Sequence, residues 1–92
     1  MFRWLNKQGV ESDGGFVVQF TGRFTAEYRE GSKKITVSIE SGYSGGPAIM
    51  YDRSCFKKWD SALEELPNDE QARMAANFRD ALEFQGLNPI ED

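Results

Sequence analysis

The sequence predicts an α+β domain, an antiparallel β-sheet of about four to five strands packed in two layers on one long C-terminal helix. Three observations lead there. Residues 16–40 alternate apolar and polar side chains with a period of two, the pattern of strands with one face on a core and the other in water. Residues 68–86 carry apolar side chains at helical spacing, which marks an amphipathic helix. No linker, internal repeat or low-complexity stretch separates the two halves. Residues 1–92 are therefore expected to form a single domain, with strands over about 2–51 and a helical half over about 54–86.

Each element has its own signal. Phe2 and Trp4 share one side of a short N-terminal strand within residues 2–7. Asp13-Gly14-Gly15 turns the chain into a strand in which Phe16, Val18 and Phe20 face one way and Val17, Gln19 and Thr21 the other. After a break at Thr21-Gly22, Phe24, Ala26 and Tyr28 repeat the pattern against Arg23, Thr25, Glu27 and Arg29. Glu30-Gly31-Ser32 is a hairpin turn into a strand that sets Ile35, Val37 and Ile39 against Lys34, Thr36, Ser38 and Glu40,. A glycine-rich loop over residues 41–47 leads to a last strand over residues 48–51. In the helical half, Asp52 or Ser54 caps a short turn carrying Phe56 and Trp59. A second turn over residues 61–66 stops at Pro67. Asn68 is the expected N-cap of the main helix, with Gln71 at the capping-box position, and Gly86 the left-handed residue that ends it. Met74, Ala75, Phe78, Ala81 and Leu82 fall within an arc of about 120°, with Phe84 to one side.

Composition narrows the chemistry. The chain has 11 Lys+Arg against 15 Asp+Glu, a net charge of −4 and no histidine. Without histidine there is no Ser-His-Asp triad, no Cys-His pair and no imidazole metal ligand. An acidic balance argues against nucleic acid as a partner, because phosphate binding depends on Lys and Arg. Cys55 is the single cysteine, so no internal disulfide forms and a reducing compartment is expected. No apolar run reaches signal-peptide or membrane-span length, and the expected location is the cytoplasm.

Two motifs invite a catalytic reading and fail it. Gly42-Tyr43-Ser44-Gly45-Gly46-Pro47 is similar to the Gly-Asp-Ser-Gly-Gly-Pro string around the nucleophile of chymotrypsin-like proteases, but Tyr43 replaces the acid and no histidine exists to act as base,. The same glycines lack the Lys-Ser/Thr of a phosphate-binding loop. Glu64-Glu65 and Asp69-Glu70 sit at adjacent positions that diverge rather than converge on a metal or a scissile bond.

The second half resembles small immunity proteins of bacterial polymorphic-toxin systems. Tyr51, Asp52 and Ser54 carry the likeness, with Trp59-Asp60, Asp69-Glu70-x-Ala72-Arg73, Asn77, Arg79 and Ala81-Leu82-Glu83-Phe84-Gln85-Gly86. It covers about residues 16–90 and is strongest from Tyr51 onward. The chain departs from it at residues 86–90, which leave little of a closing strand, and Pro89 fits only an edge. The resemblance implies a cytoplasmic inhibitor that binds and blocks a cognate toxin, with no catalytic residue and no cofactor. The expected function is thus non-enzymatic binding of a protein partner such as a basic toxin domain, without nucleic acid or membrane. Asp52, Ser54, Trp59, Asp60, Glu64 and Glu65 are the candidate contact residues, and the polar strand face with Gln19, Thr36, Ser38 and Glu40 is a second candidate surface. The alternative is a small intracellular interaction or structural domain, self-associating as a homodimer through an edge strand.

Overall fold

The computed structural model describes residues 1–22, 24–41 and 48–91. Arg23 and the protease-like string at residues 42–47 lie outside the described residues. Among the described residues, seven strands form one sheet in chain order: β1 (Phe2–Asn6), β2 (Gly9–Ser12), β3 (Phe16–Phe20), β4 (Thr25–Glu30), β5 (Lys33–Ser41), β6 (Ala48–Tyr51) and β7 (Asn88–Glu91). A short 3-10 helix, Arg53–Phe56, and the helix α1 (Asn68–Phe84) lie between β6 and β7.

This corrects the expected arrangement. The sheet is not a four-to-five-strand antiparallel layer under a helix; it is a seven-stranded, mixed, curled half-barrel with one helix near its C-terminal end. β1 to β6 pair antiparallel and β7 pairs parallel to β6. A parallel neighbour requires a long crossover, and the helical half supplies it. Two short strands escaped the sequence pattern. β2 begins on Gly9 and ends on Ser12, and β7 contains Pro89, so neither has the β-branched alternation that marks a strand on its own.

The curl is built into β5. This nine-residue strand pairs with β4 over Lys33 to Ser38 and with β6 over Ile39 to Ser41. A strand that changes partners midway turns the sheet along its own length. On the concave side, Trp4, Val10, Val18, Tyr28 and Ile35 lie in one row across five strands, and Phe20, Ala26 and Val37 in another. The helix places Met74, Ala75, Phe78, Ala81 and Leu82 against this surface, all buried. Aromatic rings run through the core in edge-to-face and tilted contacts: Phe2 to Phe16 at 5.6 Å, Tyr28 to Phe56 at 5.9 Å, Phe56 to Phe78 at 5.5 Å and Phe78 to Tyr51 at 5.0 Å.

Turn chemistry follows the sequence where a left-handed residue is required. Gly31 (φ 61°) turns β4 into β5, and Gly86 (φ 81°) ends α1, a backbone region that costs other residues. The helix start differs. Pro67 is the N-cap residue, in extended conformation and without a side-chain cap, and Asn68 is already helical. Proline presets the entry geometry, and the Gln71 amide reaches back to the Leu66 carbonyl at 2.8 Å instead of closing a capping box,. Phe24 was expected to face inward with Ala26 and Tyr28, but it precedes β4 and is 60% exposed.

Candidate functional site

The segment that leaves β6 is held by its aromatic residues. Asp52 caps the 3-10 helix, accepting a hydrogen bond from the Ser54 N–H at 2.8 Å. That N–H and the Ser54 hydroxyl hold the Asp52 carboxyl below the usual carboxylate range,. Phe56 is fully buried and Trp59 is 8% exposed. The Trp59 ring stacks on Tyr28 with centroids 6.4 Å apart, and the Lys33 ammonium lies 5.9 Å from its centre.

Asp60 does something the sequence did not announce. Beyond Tyr51 the chain leaves the sheet, so β6 does not accompany the first half of β5. Asp60 takes its place. Its backbone N–H donates to the Lys34 carbonyl at 2.9 Å, and its carboxylate accepts from the Thr36 N–H at 3.1 Å and the Thr36 hydroxyl at 2.7 Å. A single residue thus occupies strand-edge hydrogen-bonding groups that would otherwise face water.

Beyond this anchor the chain projects outward. The Ala62 N–H donates to the Trp59 carbonyl at 3.0 Å, the Lys58 ammonium to the Ala62 carbonyl at 3.1 Å, and the Leu66 N–H to the Lys57 carbonyl at 2.6 Å. Between these ties, Leu63 is 100% exposed and Glu64 and Glu65 are exposed beside it. Residues 59–67 contain three carboxylates, Asp60, Glu64 and Glu65, and no lysine or arginine, and Asp69 and Glu70 follow in the first turn of α1. The result is a braced acidic loop with an aliphatic side chain at its tip. A depression of about 370 Å³ beside it is lined by Ser54, Cys55, Lys57, Lys58, Asp60 and Glu65, with Cys55 half-buried.

The six predicted contact residues therefore divide. Trp59 and Asp60 are anchors, Asp52 and Ser54 form a helix cap, and Glu64 and Glu65 are presented to solvent. Leu63 was missed, since a lone apolar residue in an irregular segment has no periodicity to give it away. On the second candidate surface, Thr36 is engaged by Asp60, and Gln19 bonds to the Asn6 side chain at 2.9 Å and to the Phe20 carbonyl at 3.0 Å.

A second polar cluster joins sheet to helix. The Tyr28 hydroxyl donates to Glu30 and accepts from the Asn77 amide at 3.0 Å. Arg73 clamps Glu30 through both terminal nitrogens, at 2.9 and 3.2 Å, and reaches Glu70 at 2.7 Å. Burial and the neighbouring Glu30 push the Tyr28 hydroxyl well above its ordinary range. Burial opposes ionisation of Glu30, but the Arg73 and Tyr28 hydrogen bonds outweigh it and hold that carboxyl below its usual value. These groups satisfy one another and tie β4 to α1. Among the described residues, no group of three or more acids or thiols is gathered to hold a metal ion, and no helix is long and apolar enough to cross a membrane.

The chain matches no protein-family model, no curated protein and no solved structure.

Proposed function

We propose that this chain is a non-enzymatic binding protein, an immunity-type inhibitor that docks its acidic loop onto a basic, cognate toxin domain in the cytoplasm. The observation that carries this reading is the braced loop with Leu63 fully exposed among Asp60, Glu64 and Glu65. Hydrogen bonds at both ends hold the loop before any partner arrives, so little conformational entropy remains to be lost on docking. The carboxylates steer a basic surface toward it. Burying Leu63 in a socket on the partner contributes roughly 1.5–3 kcal/mol. The resemblance of residues 51–86 to immunity proteins gives the same partner class.

The test takes any toxin-type domain encoded by a neighbouring gene and co-expresses it with this chain, scored by growth and by recovery of a complex. Wild-type chain should restore growth. The triple variant Leu63→Asp, Glu64→Lys, Glu65→Lys should stay folded and lose protection. Protection by the triple variant equal to wild type would move the contact surface elsewhere. Lack of both complex and rescue with wild-type chain would reject the immunity reading.

A further inference from the structure

The turn between β1 and β2, the end of β3 and the C-terminal end of α1 meet at one end of the curled sheet. A pocket of about 390 Å³ lies there. Small-molecule sites occupy roughly 300–1,000 Å³ and are common in the mouths of β-barrels. Ile39 of β5 and Ile49 of β6, both buried, line the pocket from the core. Phe20 and Leu87, partly buried against that core, and the half-exposed Trp4 complete its apolar lining.

Each polar side chain of the pocket can donate a hydrogen bond. Lys7 brings an ammonium, Gln8 and Gln85 bring amides, and no carboxylate lines the pocket among the described residues. Two of these donors lack a protein partner. Lys7 makes no ion pair among the described residues. The Gln85 Nε2 is shielded from solvent and donates to nothing, while its backbone N–H caps α1 on the Ala81 and Leu82 carbonyls. Buried donors are normally paired. A terminal amide turns easily about its last side-chain torsion, so an acceptor held in the pocket draws this donor toward it.

A cation without a counter-charge and an amide donor without an acceptor thus border an apolar surface, the complement of an amphipathic anion. One lysine balances one negative charge. A phosphate, nearly doubly charged at neutral pH, would be left with excess charge on a chain whose net charge is already −4. The end of α1 carries partial negative charge, but its Ala81, Leu82 and Glu83 carbonyls are taken by the N–H groups of Gln85, Gly86 and Leu87.

We propose that this pocket binds a small apolar monocarboxylate, its hydrocarbon part against Ile39, Ile49 and Phe20 and its carboxylate between the Lys7 ammonium and the Gln85 amide. No residue of the acidic loop lines the pocket, so the site is independent of the toxin-binding reading.

Calorimetric titration of the wild-type chain with octanoate and with hydrocinnamate tests this, with proton–nitrogen spectra to locate the site. At least one carboxylate should saturate a single site with micromolar to millimolar affinity and shift the Trp4 indole and Gln85 side-chain amide signals. The tighter of the two identifies an aliphatic or an aromatic source. The matching alcohol should bind at least about tenfold more weakly, and the matching amine more weakly still. Lys7→Gln and Gln85→Met should each weaken the carboxylate at least about fivefold and leave the alcohol within about twofold. Lys7→Gln lies in an exposed turn and serves alone if Gln85→Met unfolds. Four outcomes would each overturn the proposal: no saturable binding of either carboxylate up to about 10 mM, an alcohol that binds as tightly, signals that move around Leu63 instead of the pocket, or a Lys7→Gln chain that binds like wild type.

Discussion

Asp60 shows how one carboxylate can substitute for a strand. It pairs with the backbone of β5 through its own N–H and supplies acceptors to Thr36. Asp60→Ala should therefore lower stability by about 1–2 kcal/mol in urea titration, spanning the upper end for neutral hydrogen bonds and the lower end for bonds to a charged group. Glu64→Ala and Glu65→Ala, which hold nothing in place, should stay within about 0.5 kcal/mol of wild type. The Tyr28–Glu30 pair gives a second expectation, in pH. Glu30 ionises more readily folded than unfolded, so its contribution is complete above the ordinary carboxylate value of 4.5 and is lost as pH falls below it,. Tyr28 is shifted the other way. Its contribution is intact at neutral pH and is lost as pH rises past the ordinary phenol value of 10.0,. Urea midpoints measured across this span should form a plateau with two falling limbs. Glu30→Gln should flatten the acid limb and Tyr28→Phe the alkaline one; an unchanged alkaline limb in Tyr28→Phe would place its origin elsewhere.

Among the elements, α1 and β5 carry the architecture. The helix buries one stripe, and Phe78 at its centre contacts both Tyr51 and Phe56. Phe78→Ala should cost about 3–5 kcal/mol, read from chemical denaturation, as expected for emptying a fully packed aromatic site. The stripe was legible from spacing alone, because a helix repeats its inward face every three to four residues whatever it packs against. Ile35, Val37 and Ile39 were legible for the corresponding reason in a strand. The bend of β5 was not. It depends on β4 and β6 claiming successive halves of one strand, and the alternation of β5 is the same whether it has one partner or two in turn. β2 and β7 stayed hidden because Gly9-Val10-Glu11-Ser12 and Asn88-Pro89-Ile90-Glu91 each hold one β-branched apolar residue and so show no alternation.

For the whole molecule, charge is unevenly spread. Residues 59–72 carry five carboxylates and no base, while residues 1–10 carry Arg3 and Lys7 and no acid. Association through the acidic loop should then be fast at low ionic strength and slow as salt is added, with dissociation little changed, because screening acts mainly on the approach. Stopped-flow mixing, at rising salt, with the partner domain that the proposed co-expression test recovers measures this directly. A salt-independent on-rate would detach the loop from the steering role.

The sequence by itself determined which residues turn inward along β3, β4, β5 and α1, where Gly31 and Gly86 end their elements, and that no histidine chemistry is available. These are local properties, set by side-chain period and by backbone conformations accessible to glycine. Tertiary structure decided the number of strands, the curl, and the division of labour among the candidate contacts. Asp60 became a structural anchor and Leu63 a surface feature because Asp60 meets Thr36 across 24 positions in the chain, a separation over which no sequence period extends.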